Sequence, residues 1–321
     1  MRMDTMNGVG FVGLYASFPI ENDRRRVEIL RTVLDMEAEL RFKRIRYGSI
    51  LGKLKDSIFD EKPLTNMLQS LETGEADYLQ LFPYNIGDDW VQVSKMSMGL
   101  DWTSNIIRPL KRPSSPIEKR FGNAGHLIVQ YPESRFVTDS DSEFQKNLLN
   151  IMKRLFVEEE IHWAFIHRGF HFTAPSSIGT DDLFLATREK FPLTSFDTDL
   201  GRAVFFKEFV KGAFWANFLN PLHVKNLGGI ERMRNERPCR IIEELDNGRV
   251  LLQVGPSPLV ADEKTATEDY QRLRRFLKPI LMESGDDMMR IQRKVLGSWK
   301  PPESGDQGAR GMLTEMKDRD S

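Results

Sequence analysis

Apolar residues recur along this chain in two rhythms, and turn residues mark each change of rhythm. Phe11–Phe18, FVGLYASF, is short and rich in β-formers and reads as a strand. Pro19–Asn22 turns the chain. Asp23 can cap the helix that follows, where Val27, Leu30, Val33, Leu34 and Met36 repeat among Arg, Glu and Asp, which predicts an amphipathic element reaching about Phe42. Ile45–Ile50 returns as a strand, and Pro63–Leu71 is a short helix ending near Gly74. Tyr78–Tyr84 and Trp90–Met98 are strands joined by NIGDD, a hairpin-like turn.

The segment Pro109–Pro116, PLKRPSSP, interrupts this pattern, because proline fixes φ and removes ladder donors. A second pattern follows: a strand over Leu127–Tyr131, a cap within Asp139–Ser142, and a helix over Glu143–Glu158. Its face is Phe144, Leu148, Ile151, Met152 and Leu155, and Ile161–Phe165 is the next strand. Strand, polar turn, amphipathic helix and strand thus occur twice, about 115 residues apart. The expected fold is α+β, with two similar βαβ-like halves whose largely antiparallel or mixed sheets are covered by amphipathic helices. Residues 1–108 form the N-terminal half, 109–122 the connector, 123–284 the C-terminal half and 285–321 a polar tail, mobile beyond Trp299. Within the C-terminal half, Phe170–Leu200 is loop-rich with a short helix near Asp181–Lys190, and 202–210 reads as a strand. Asp246-Asn247-Gly248 between Arg240–Leu245 and Arg249–Val254 is a hairpin signal, because Asn-Gly supplies positive φ. Glu268–Leu281 is a helix whose face is Tyr270, Leu273, Phe276, Leu277, Ile280 and Leu281.

The densest apolar stretch is Gly212–Gly229, GAFWANFLNPLHVKNLGG, a structural hub. Its leucines and valine fall at helical spacing, Pro221 suits a helix start, and Gly228-Gly229 a helix end. Phe214, Trp215 and Phe218 have the form of a ligand-stacking platform, but packing in the core is the preferred reading. Asn217 within this run is a buried amide that needs partners, which ties the hub to a neighbouring backbone.

Composition narrows the function. The 46 basic and 47 acidic residues are finely mixed, with a net charge of −1, so no basic field awaits nucleic acid. A lone cysteine, Cys239, excludes an internal disulfide and Cys₄ or Cys₂His₂ zinc sites. Residues 1–20 lack a signal-peptide pattern, and no run approaches the ~18 apolar residues of a membrane span, so a cytoplasmic protein with no membrane partner is expected. His162, His167 and His171 lack the spacing of a metal site, and 162 and 167 would point to opposite sides of a strand. The expectation is two exposed histidines and one buried, with no metal and no cofactor. GVGFVG, over Gly8–Gly13, mimics a dinucleotide loop but falls within the first strand, and there is no GxSxG. Carboxylates gather at Asp88–Asp89, Asp139–Glu143, Glu158–Glu160, Asp181–Asp182, Asp197–Asp199 and Glu243–Glu244. Solvated loop and helix-end charge is the plain reading, a hydrolase using paired carboxylates the alternative. Glu158–Glu160 stands out, because negative charge at a helix C-terminus opposes the dipole and hints at a partner.

At the hub the chain resembles a known family. Trp215, Asn217, Phe218 and Leu219 leading to Gly228-Gly229, then Gly248, Leu251, Leu252, Gln253, Gly255 and Pro258, then Leu277, Lys278 and Pro279, are similar to the type VI secretion immunity family. Members of that family neutralise VRR-type nuclease effectors and related bacterial polymorphic toxins. The likeness is strong over 205–281 and diffuse over 9–205, where FVGLYASFPI to about Gly48 looks like the family's opening. One departure is Ala261 before Asp262, where the family tends to glycine. The resemblance implies a non-catalytic inhibitor, with no enzyme activity, that covers the active site of a cognate toxin. Nuclease surfaces are basic where they grip phosphates, so carboxylates can steer association. Asp181, Asp182, Asp197 and Asp199 in the loop-rich region are the expected contacts. The sequence leaves room for a homodimer.

Overall fold

The computed structural model describes residues 8–19, 23–36, 42–49, 53–82, 95–100, 120–121, 124–132, 141–172, 203–258 and 263–282, with positions 287, 290, 291, 293 and 294. In chain order the elements begin with β1 (Gly8–Pro19), α1 (Asp23–Met36), β2 (Arg44–Gly48), β3 (Leu54–Ile58), α2 (Glu61–Glu72), β4 (Tyr78–Phe82) and β5 (Lys95–Leu100). They continue with β6 (Ala124–Pro132), α3 (Asp141–Glu158), β7 (Trp163–Phe172), β8 (Ala216–Leu219), α4 (Pro221–Asn226), α5 (Ile230–Glu236), β9 (Ile241–Leu245), β10 (Arg249–Gln253) and α6 (Glu263–Leu277). The fold is α+β, as expected.

These strands form one sheet in the order β3-β2-β4-β5-β6-β1-β7-β8-β10-β9. Every neighbouring pair is antiparallel. Counting reversals across the sheet, β2 runs parallel to β1, and β7 runs parallel to β6 with β1 between them. Both opening helices, α1 and α3, are therefore true crossovers, although no two parallel strands touch. Strands from both sides of the proline-rich connector belong to this sheet, and it is continuous through the β6–β1 pair.

β1 explains its own composition. It sits between β6 and β7, and both of its faces are covered, so it reads as a nearly unbroken apolar run rather than an alternating one. Leu14, Ala16 and Phe18 share one face with Leu127, Val129, Ala164 and Ile166. That face receives the helices: Phe144 of α3 meets Tyr131 and Phe156 meets Phe218, while α1 lies against both α2 and α3. Tyr15 and Ser17 look the other way, with Trp163, Phe165 and His167. The glycines of GVGFVG lie inside β1, so they form no strand-to-helix phosphate loop.

Two elements depart from the pattern reading. β3 was invisible to it because LKDSI sits at the sheet edge, with Lys55 and Asp56 exposed and Ile58 turned outward. The strand expected over 202–210 is instead a 3₁₀ turn, Ala203–Lys207, followed by one isolated bridge from Val210 to Leu281. A strand would send Phe205 and Phe206 to opposite sides. The turn buries both, Phe205 against Phe121 and Phe206 against Tyr15 and Trp163. The hairpin is as expected, with Asn247 at φ 62° and Gly248 at φ 71°. α6 ends at Leu277, and Lys278-Pro279-Ile280 closes it as a 3₁₀ turn, since proline cannot continue the ladder.

Arg26 on α1 is fully buried and joins the helices. Its Nη1 donates to the Ala76 carbonyl and its Nη2 to the Leu71 carbonyl, both at 3.0 Å, so it satisfies the C-terminal end of α2 from a neighbouring helix. Arg26→Met is expected to lower stability by about 3 kcal/mol in urea titration, because the Ala76 carbonyl loses its Arg26 donor and the Leu71 carbonyl keeps only the Gly74 N–H, and Arg26→Lys to recover only part of that, because one ammonium replaces a two-pronged fork.

Candidate functional site

The hub is built from a loop, a strand and a helix. Phe214 and Trp215 lead into β8, which carries Asn217 and Phe218, and α4 begins only at Pro221. Pro221 opens α4 as expected, and β8 before it is buried on both faces and shows no alternation. β8 lies between β7 and β10, with Asn217 beside Phe165 and Leu252.

The aromatic residues pack as expected. The Phe214 ring stacks on Phe165 with centroids 3.9 Å apart, and Trp215 is fully buried. Trp215 is fixed at three atoms. Its indole N–H donates to the Gly255 carbonyl (2.9 Å), its backbone N–H to His167 Nδ1 (3.2 Å), and its carbonyl accepts from Val254 N–H (2.8 Å). His167 therefore accepts at Nδ1 and, when neutral, carries its proton on Nε2.

Asn217 is buried and paired, but the tie is local. Its Oδ1 accepts from Phe214 N–H (3.3 Å) and its Nδ2 donates to the Phe214 carbonyl (2.8 Å), which closes the turn that enters β8. The bridge to neighbouring backbone is made by Asn220. Its Oδ1 caps α4 by accepting from His223 N–H, and its Nδ2 donates to the carbonyls of His162 (2.7 Å) and Lys207 (3.0 Å). The Asn-Pro pair at the helix start was the signal that could have revealed it. α4 ends as the glycines suggested: Gly228 N–H bonds Lys225 O and Gly229 N–H bonds Val224 O, with Gly228 at φ 91°. A Cβ on Gly228 would approach Arg232 Cδ to 2.7 Å.

The histidines correct the expectation of two exposed and one buried. His167 is buried on β7, which is covered on both faces, and His162 just before that strand and His223 of α4 are buried as well. The side chain of His171 lies outside the described residues. Burial pushes all three imidazoles down to about 3, with Lys207 adding to the effect at His162, Arg168 at His167 and His162 at His223. They are neutral at pH 7. Among the described residues no group of three or more His, Cys, Asp or Glu is placed to hold a metal ion.

The acids at the end of α3 are answered from within. Arg154 pairs with Glu158 (2.9 Å), Thr32 donates to Glu159 (3.1 Å), and the Arg249 side chain donates to the Val157 carbonyl (3.2 Å) at the helix terminus. Burial disfavours the Arg249 charge, and Glu160 restores part of it. The guanidinium also lies over the Phe156 ring. The unfavourable dipole is thus offset by a cation placed at the terminus from β10. Asp181, Asp182, Asp197 and Asp199 lie outside the described residues.

Residues 196–296 match the model of the TsiV family, described as type VI immunity for VRR-NUC. The match encloses the hub, the β9–β10 hairpin and α6, the same segment on which the sequence resemblance rests. Among solved structures, a T6SS protein of Pseudomonas aeruginosa is similar over 93% of this chain and 89% of its own, with a TM-score of 0.54 and 14% identity, which speaks for a shared fold. No curated protein matches the chain by sequence. Among the described residues, no helix is long and apolar enough to cross a membrane.

Two outcomes follow. Asn217→Ala is expected to cost roughly 1–3 kcal/mol of stability in chemical denaturation, because Phe214 N–H and C=O lose their partner in a dry site. For His162, His167 and His223 the folded state holds the proton more weakly than the unfolded chain. Their contribution is thus complete above pH ~6.5 and is lost as pH falls toward about 3. Stability measured in urea is expected to fall by about 3 kcal/mol between pH 6.5 and 5.5 from these three groups together.

Proposed function

We propose that this chain is an immunity protein that binds a VRR-NUC effector of a type VI secretion system and blocks it by covering its active site. The observation that carries this reading is the family match over 196–296. It falls on a segment whose distinctive residues are spent on the fold: Trp215, Asn217, Asn220 and Gly228 hold β8 and α4 in place. A protein that inhibits by steric cover needs a rigid frame and no catalytic centre of its own. The hydrolase alternative draws no support from Glu158 and Glu159, which are engaged by Arg154 and Thr32.

The contacts proposed on the effector side are Asp181, Asp182, Asp197 and Asp199, four carboxylates suited to a surface built to grip phosphates. The protein acts in the cytoplasm, where a nuclease effector reaches nucleic acid. Co-expression with the cognate VRR-NUC effector tests the reading. Cells are expected to survive with this chain and die without it, and equal killing in both would overturn it. Replacing all four aspartates with asparagine is expected to slow association at low salt by ten- to a hundredfold, an effect that shrinks as salt is added, measured by stopped-flow mixing.

A further inference from the structure

The matched segment carries a surface on which arginines gather around the contact between α5 and α6. Arg232 of α5 lays its guanidinium over the Phe276 ring of α6, 5.4 Å from the centroid, and donates to the Leu227 carbonyl (3.1 Å). Burial pushes the Cys239 thiol up to about 12, while the nearby Arg272 of α6 pulls it the other way, which places Arg272 beside the chain leaving α5. Arg240 follows Cys239, and Arg275 stands three residues beyond Arg272 on the same side of α6. Arg237, Arg240, Arg272 and Arg275 are all exposed. Arg232 is paired with Glu236 and Arg272 with Asp269. Among the described residues no carboxylate pairs with Arg237, Arg240 or Arg275.

A second observation singles out Arg237. It ends α5 in the left-handed conformation, φ 45° and ψ 61°, with its N–H bonded to the Met233 carbonyl. Glycine or asparagine serves that position better, because an L side chain there crowds its own backbone. The backbone bond requires no side chain, and the guanidinium extends into solvent. An arginine held where the local backbone favours glycine, without an internal counter-ion, points to a use outside the chain.

We propose that Arg237, Arg240 and Arg275 form a docking surface for clustered carboxylates on the partner nuclease, the set with which such an enzyme holds its divalent cations. This rests on the immunity reading. A guanidinium matches a carboxylate through two parallel hydrogen bonds and can stand where a metal ion otherwise would. Phosphate fits less well. Glu236 and Asp269 flank the surface, and three unpaired cations on a chain of net charge −1 make a poor grip on a polyanion.

The test uses the full chain and its cognate VRR-NUC effector in metal-free form, with affinity measured by calorimetry. The triple variant Arg237→Gly, Arg240→Ser, Arg275→Ser is expected to bind on the order of a hundredfold more weakly than wild type. Millimolar Mn²⁺ is expected to weaken the wild-type complex and to leave the triple variant's affinity unchanged. Arg237→Gly alone is expected to raise Tm by about 2 °C while weakening binding, which separates recognition from folding. A triple variant that binds as tightly as wild type overturns the inference and leaves the immunity reading intact. Wild type that fails to bind the effector overturns both. Wild type that binds labelled duplex DNA, with binding lost in the triple variant, overturns the inference in favour of nucleic acid.

Discussion

The architecture depends on a strand with no solvent face. β1 lies between β6 and β7, so its two backbone edges are both paired and its two side-chain faces both need cover. One face obtains it from helices α1 and α3, which the crossovers bring there. Among the described residues the other has no long helix above its centre, although Tyr270 of α6 reaches it at His167. It is closed by the segment 203–215, whose Phe206 and Phe214 fill the space over Tyr15, Trp163 and Phe165 while Phe205 packs on Phe121. Fixing such a segment needs polar ties, because a turn has no ladder of its own.

Those ties converge from distant parts of the chain. Asn220 holds the Lys207 carbonyl from below. Arg120 grips Glu208 through two hydrogen bonds, of 3.0 and 2.6 Å. Val210 exchanges backbone bonds with the segment after α6, through Ile280 and Met282. The region that matches the immunity family therefore supplies the cover for the central strands as well as the last strands of the sheet. Fold and family signature coincide here because the residues that distinguish the segment are those that close the core.

Legibility in the sequence followed the physics of each element. Helices with one solvent face were read well, because periodicity survives where burial is one-sided: α3 lies close to its expected span, α1 begins at Asp23 as expected and is described as helix to Met36, and α6 begins at Glu263, ahead of the expected Glu268. The hairpin was read from Asn247-Gly248 because its turn chemistry is local. β8 gave no strand signal because it is buried on both faces, which erases the period that distinguishes strand from helix, and the 203–207 turn reads as a strand because its neighbouring Phe205 and Phe206 are both apolar. β3 was missed for the opposite reason, being an edge with too little apolar surface to show a pattern. Asn217 was rightly marked as a buried, bonded amide, yet the residue that spans three segments is Asn220, and only the fold reveals which carbonyls lie within its reach.

The position of β1 also governs when this protein can fold. Its partners β6 and β7 begin about a hundred residues or more after it ends, so the first strand made waits unpaired through much of translation. At the usual pace of synthesis that wait lasts on the order of ten seconds, and the aromatic cover over residues 203–215 arrives later still. A sheet centred on its own first strand assembles late and largely at once.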